Sequence, residues 1–200
     1  MSNSFASIVA DVMALTNRPD LVNETNLAVR AATLKAHQKD DWIRDLQEDS
    51  IEFTTANYYQ TFEYKTVFPL WRKPSYIRNY DNTANTGGPG KFLTYITPDK
   101  VIDGYGYNRL DVFYVAGSNI QIRTKCENQF FLLGYYANPD VTPLGFSSWI
   151  ADEFPFAITY EAVAIIFKTV GLDEQVAVYR DMVTEQLQLL TQHAITGVGM

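Results

Sequence analysis

Cysteine is almost missing from this chain: 200 residues contain one, Cys126. No internal disulfide can staple the fold, and no cysteine-rich zinc site can form. Histidine is nearly as scarce. His37 and His193 are the only two, too few for a histidine metal cluster and a poor basis for a nucleophile–base triad, so neither a metal nor another cofactor is expected. No run approaches the roughly 18 apolar residues of a membrane-spanning helix. The opening stretch MSNSFASIVADVM has no basic segment and is interrupted by Asp11, so it is not expected to act as a secretory signal. Basic excess is also lacking: 16 Lys and Arg face 23 Asp and Glu, for a net charge of −7. Sequence-specific binding to duplex DNA leans on a basic face, and none is visible. These absences point away from the commonest enzyme classes.

What is present is unevenly spread. Residues 1–50 carry 8 acids and 5 bases, 51–150 carry 8 and 9, and 151–200 carry 7 and 2. Of the 28 Phe, Tyr and Trp residues, 21 fall in 51–150. The flanks are rich in Ala, Leu, Gln and Glu, which favour helix. The centre is rich in Tyr, Phe, Thr, Ile and Val, which favour strand. The chain reads as helix, then sheet, then helix, with Asn82–Gly90 as a loop inside the central part.

Phe5, Ile8, Val9, Val12 and Met13 make one apolar stripe of a first helix, stopped at Asn17-Arg18-Pro19-Asp20. A second helix is expected to begin after Asn23 and run to about Asp49, with Leu27, Ala31, Leu34, Trp42 and Leu46 along one side. Its small residues Ala28, Ala31, Ala32 and Ala36 permit close approach of another helix. In the centre, 110–115 and 118–125 read as a hairpin around Ala116–Asn119. Residues 129–136 and 91–97 add strands, and 52–68 adds one or two, giving an antiparallel meander with one covered face. A third helix starts at Pro155 and carries Ile158, Ala162, Ile165, Ile166 and Val170. Gly171 stands where a left-handed cap is expected. A fourth helix starts at Asp173, with Val176, Tyr179, Val183, Leu187 and Leu190 on its apolar face. The expected fold is therefore α+β. An antiparallel helical bundle is built from 1–50 and 151–200 as one discontinuous domain, and a β-rich insertion covers 51–150.

Few residues suggest chemistry. Asp152 and Glu153, with Asp140 or Glu161, are a conceivable carboxylate pair for glycoside hydrolysis, but adjacent acids before a helix serve as caps. His37 and His193 could meet across the bundle; with no third ligand they read as solvated helix residues. Cys126 reads as a passive strand-end thiol. Gly87-Gly88-Pro89-Gly90 and Gly104-Tyr105-Gly106-Tyr107 lack the Lys-Ser/Thr ending of a phosphate loop and read as turns. The tyrosines 58, 59, 64, 76, 80, 105 and 107 could stack on sugars or bases, but suit a core or protein interface better. Trp71-Arg72-Lys73-Pro74, with Arg78, is the one local basic cluster and reads as a loop meeting an acidic neighbour.

Certain words of the sequence resemble a family. Ala14-Leu15-Thr16-Asn17-Arg18-Pro19-Asp20-Leu21, then Glu24-Thr25, Ala28–His37 and Asp41-Trp42-Ile43-Arg44-Asp45-Leu46, resemble the opening of head-to-tail adaptor proteins of tailed bacteriophages (head-completion or tail accessory factors). Asp152–Ile158, Ile166–Gly171 and Glu174 continue the likeness, which covers both flanks, roughly half the chain. The resemblance implies a helical bundle with a β insertion. It implies a virion protein at the head–tail junction, assembled in the host cytoplasm as a ring of about twelve copies beneath the portal protein. Such a ring extends the DNA channel, lies close to packaged DNA without binding it specifically, and offers a platform for a downstream tail or nozzle protein. It implies neither a membrane partner nor catalysis. The C-terminal residues Ala194, Ile195, Val198 and Met200 correspond to a portal-docking tail. Trp71, Arg72, Lys73, Tyr105 and Tyr107 are the candidates for subunit or tail-partner contacts. Two alternatives remain on the residues themselves: a carbohydrate-binding tail module with an exposed Tyr-rich sheet, and a cell-wall glycosidase using Asp and Glu.

Overall fold

The computed structural model describes residues 4–55, 57–80, 91–104, 106–124, 130–143 and 145–196, with only the backbone of 194–196. The fold is mixed α+β and contains two sheets. Contacts divide the chain into two compact units, one of residues 1–45 and 138–200, the other Leu46–Ala137.

The first unit is helical. Helix α1 (Phe5–Thr16) buries Phe5, Ile8, Val9 and Val12 and ends at Asn17, whose φ of 51° is left-handed, a conformation Asn tolerates better than most residues. Helix α2 (Val22–Gln38) buries Thr25, Ala28, Val29, Ala32, Thr33, Ala36 and His37. That stripe is made of small residues, and the expected stripe through Leu27 and Ala31 is not the one used: Leu27 is 65% exposed. Small side chains let backbones approach closely, and α2 packs on helix α5 (Pro155–Thr169).

The expected second helix is also too long. α2 stops at Gln38, where Lys39-Asp40-Asp41 brings two carboxylates to the negative end of the helix dipole. Trp42 then folds back, its indole N–H donating at 3.1 Å to the Ala36 carbonyl of the last turn, which also accepts from the Lys39 N–H at 3.4 Å. Residues 46–52 are a strand.

Ser148 caps the short helix α4 (Trp149–Glu153) by accepting from the Ala151 N–H at 3.2 Å. Pro155 opens α5, where its missing N–H costs nothing. α5 ends at Gly171, with φ 79°, and the Leu172 N–H reaches back to the Phe167 carbonyl at 2.9 Å, the six-to-one closure of a Schellman turn. Helix α6 (Asp173–Thr196) follows. α5 packs against α1, α2, α4 and α6. One core cluster runs from Phe5 and Val12 through Val29 and Ala32 to Ile158, Ile166, Val176 and Leu190. Each large apolar side chain buried there contributes about 1.5–3 kcal/mol.

The second unit holds both sheets. Strands β1 (Leu46–Glu52), β3 (Trp71–Tyr80), β4 (Lys91–Phe92) and β8 (Phe130–Ala137) form the first, in the order β1-β8-β3-β4. Strands β2 (Tyr59–Glu63), β5 (Thr94–Tyr95), β6 (Val112–Ala116) and β7 (Asn119–Arg123) form the second, in the order β2-β7-β6-β5. A short helix α3 (Tyr64–Val67) follows β2. The single meander expected from the sequence is therefore two sheets, and one pairing, β5 with β6, is parallel. The two inner faces share a core: Ile77, Phe131, Leu133 and Tyr135 from the first sheet meet Phe62, Phe113, Ile120 and Ile122 from the second.

The β6–β7 hairpin forms where the sequence placed it, pairing Ala116 with Asn119 around Gly117 at φ 61°. Between the sheets, the Asn79 amide donates to Thr124 Oγ1 at 3.3 Å, and that hydroxyl donates to Asp111 at 3.1 Å. The Tyr135 hydroxyl donates to Asp49 at 2.7 Å. Burial first, and then this hydrogen bond to Asp49, push the Tyr135 phenol well above the ordinary tyrosine range.

Candidate functional site

The basic cluster is not a loop. Trp71 to Tyr80 is strand β3, and register shifts between Trp71 and Lys73 and between Pro74 and Tyr76 absorb the proline, which cannot donate to a ladder. Trp71 points inward and is 9% exposed. It stacks on Tyr135 with centroids 4.6 Å apart and on Phe68 at 5.7 Å. It is a core residue, because a ring of that size gains most from burial between two sheets. Arg72 and Lys73 lie over the ring of Tyr136, at 5.5 and 5.6 Å from its centroid.

Register assigns the outer face of the first sheet. Lys73 pairs with Tyr136, Tyr76 with Gly134, Arg78 with Leu132 and Tyr80 with Phe130; Phe92 pairs with Arg78. The Arg78 guanidinium sits 4.3 Å from the Phe92 centroid and 5.0 Å from that of Tyr76. Its Nε is buried without an acceptor among the described residues. Phe92 is exposed, and Tyr76, Arg78, Tyr80 and Tyr136 are half-buried. The face is cationic along β3; on β1, at its edge, Glu48 and Glu52 share the same side.

Tyr107 is 72% exposed, and its backbone N–H is held by Asp103 at 2.8 Å. Gly106 takes φ 86° there, consistent with a turn. Tyr105 lies outside the described residues, as do Cys126 and the loop Asn82–Gly90. Tyr64 stacks near Trp71, with centroids 5.2 Å apart, and Tyr80 meets Phe130 at 5.7 Å. Tyr58 and Tyr59 are exposed.

Helix α6 has two apolar sides. Val176, Val183 and Leu190 face the core. Val178, Met182 and Leu189 are exposed and recur at i, i+4 and i+11, with Glu174 at i−4, Asp181 at i+3 and Glu185 at i+7. Ala194 and Ile195 belong to the last turns of α6, and Val198 and Met200 lie outside the described residues.

Each acid considered for catalysis has a nearby polar or charged partner. Glu153 accepts from Arg44 at 2.6 Å, Asp152 accepts from the Ser147 hydroxyl at 3.1 Å, and Asp140 accepts from Thr142 in a local turn at 2.6 Å. Glu161 pairs with Lys35 at 2.6 Å. That ion pair lies in a cavity of about 350 Å³ between α2, α5 and α6, with Ala36, Ala157, Arg180 and Leu187 also in its lining. No nucleophile–base pair is among its lining residues.

His37 is not solvated. It is 2% exposed, and its Nδ1 lies 2.9 Å from Asp45 Oδ1. Asp45 also accepts from the Trp149 indole N–H at 2.8 Å, and Arg44 stacks on Trp149 at 4.7 Å. The sequence reading missed this node. Its signal was the small-residue stripe itself, since Thr33 and His37 continue Thr25 and Val29 at four-residue steps. His193 packs edge-on against Phe154, with centroids 5.3 Å apart.

Among the described residues, no group of three or more His, Cys, Asp and Glu side chains is placed to hold a metal ion, and no helix is long and apolar enough to cross a membrane. No protein-family model matches the chain, and no curated protein matches it.

Proposed function

We propose that this chain is a structural subunit of a tailed-bacteriophage virion, a head-to-tail adaptor that works by assembly and not by catalysis. Its helical flanks form a bundle that carries the β-rich part as an insertion. Copies join in a ring of about twelve below the portal protein, extending the DNA channel and presenting a platform to the next tail component. The acidic balance of the chain suits a wall past which phosphate must slide without sticking.

The observation that carries this reading is the shared core of the flanks. Phe5, Val29 and Ala32 pack in one cluster with Ile158, Ile166 and Leu190, although the whole of Leu46–Ala137 separates them in sequence. The words that resemble the adaptor family lie in those same flanks.

Native mass spectrometry and negative-stain microscopy test it. The purified chain, alone or mixed with portal protein, is expected to give closed rings of about twelve copies. A chain that stays a solitary monomer and ignores the portal overturns the reading. Tyr107, exposed on its turn, is what favours a carbohydrate-binding tail module instead; glycan-array binding that disappears in Tyr107→Ala would establish that alternative.

A further inference from the structure

A ring interface is heterologous: one face of a subunit must fit a different face of its neighbour. Two outward faces of this chain are complementary in charge, in apolar character and in length. The first is the outer side of the first sheet along β3 and β4. There Arg78 lies between Tyr76 and Phe92, and Lys73 stands over Tyr136. Arg and Tyr are the residue types that most often dominate protein interfaces. The Arg78 side chain makes no ion pair or hydrogen bond among the described residues, only its ring contacts, and its Nε is buried without an acceptor. An unpaired buried guanidinium N–H is costly, and an arriving carboxylate would relieve it.

The second face is the outward stripe of α6. Val178, Met182 and Leu189 are exposed apolar side chains on a helix whose other side already fills the core. The acids Glu174, Asp181 and Glu185 run beside them. Exposed apolar residues at helical spacing, flanked by charges of one sign, are the anchors of a helix that lies on another surface. Glu174 to Leu189 spans about 22 Å at helical rise. Lys73 to Tyr80 spans about 23 Å at strand rise.

We infer that the Arg78–Tyr76–Phe92 face of one copy takes the acidic outward stripe of α6 from the next copy. Asp181 and Glu185 meet the Lys73 and Arg78 side, and Val178, Met182 and Leu189 cover Phe92, Tyr76 and Leu132. The acids Glu48 and Glu52 at the β1 edge repel α6 on that side and so fix where the helix lies on the sheet. This inference rests on the ring reading above.

The test uses two full-length variants. In the sheet variant, Lys73→Glu and Arg78→Glu reverse the cationic face. In the helix variant, Asp181→Lys and Glu185→Lys reverse the acidic stripe. Each alone is expected to lose self-assembly, with copy–copy affinity lowered on the order of tenfold to a hundredfold. Mixed one to one, they should assemble again by native mass, because the native α6 of the sheet variant meets the native sheet face of the helix variant and the two reversed faces are again opposite in charge.

Circular dichroism and thermal unfolding confirm that each variant is folded. Phe92→Asp, at an exposed position, replaces the sheet variant if that one does not fold. Variants that still assemble like the wild type overturn the inference and leave the ring reading standing. Folded variants that fail to assemble but do not pair when mixed overturn it as well. A wild-type chain that never self-associates, even on a portal, overturns the ring reading itself and the inference with it.

Discussion

Tyr76 lays its ring over Gly134 on the neighbouring strand, so closely that a Cβ built at position 134 would sit 2.5 Å from two of its ring carbons. The glycine leaves the space, and the cross-strand aromatic covers the backbone that the missing side chain exposes. Gly134→Ala should push the Tyr76 ring out of its contact with Phe92, at 5.6 Å, and with Arg78. Overpacking of this kind costs about 1–3 kcal/mol. Urea unfolding should show a lower midpoint; an unchanged midpoint would mean that the ring moves aside freely.

Trp71 and Lys73 stand two residues apart on β3 and should respond oppositely. Trp71→Ala removes a buried ring stacked on Tyr135 and Phe68 and is expected to cost about 3–5 kcal/mol. Lys73→Ala, at an exposed position, should stay within about 0.5 kcal/mol of the wild type. Denaturant titration of both variants decides between a structural and a surface role for each.

Asp45 is an acceptor for two groups, the buried His37 Nδ1–H and the half-buried Trp149 indole N–H. Asp45→Ala leaves those contacts unmade and should destabilise the helical unit by about 1–3 kcal/mol. Asp45→Asn, which keeps one acceptor oxygen, should lose less. Thermal unfolding of the pair gives the ranking, and equal losses would show that the carboxylate charge carries the whole effect.

Tyr135 predicts alkaline sensitivity. Its phenol is raised above the ordinary value of 10.0 in the fold. At pH values between the two, the folded chain keeps a proton that the unfolded chain releases, so stability falls as pH rises through that window. Below the ordinary value both states are protonated and the contribution is complete. Urea midpoints measured from neutral pH up to about 11 should decline for the wild type. They should decline less for Tyr135→Phe, and parallel declines would assign the effect to other tyrosines.

The sequence made legible whatever a single element decides for itself. The i, i+3, i+4 stripe of α1, the proline start of α5, the left-handed Gly171 and the β6–β7 hairpin all follow from local patterns. What it hid depends on neighbours. Leu46-Gln47-Glu48-Asp49 favours helix on propensity, yet it is strand β1, because β8 is apolar enough to be paired on both sides, with β1 and with β3. Strand β3 was obscured by Arg72, Lys73 and Pro74, which are tolerated only through its register shifts. On α2 the large Leu27 drew attention to the wrong face, whereas α5 required the small one. His37, which reads as solvated because the sequence offers no third ligand, is buried on that small face, in a node with Asp45 and Trp149. The face proposed for subunit contact was half visible: Arg72, Lys73 and Arg78 stood out by charge, but only strand register shows that Lys73 and Arg78 share a face with Tyr76, Phe92 and Tyr136.

The pairing of Leu46 with Tyr136 has a consequence for how such a chain can change. The first and nearly the last residues of the β-rich part are partners across one ladder, so their Cα atoms stand only about 5 Å apart. The polypeptide departs and re-enters through a doorway one strand pair wide. Whatever is built beyond that doorway is closed by its own hydrogen bonds, and the cost of closing a loop grows only slowly with its length. The intervening portion is thus a cassette, free to lengthen, shorten or be exchanged for another of different specificity while the helices on either side keep the same anchorage.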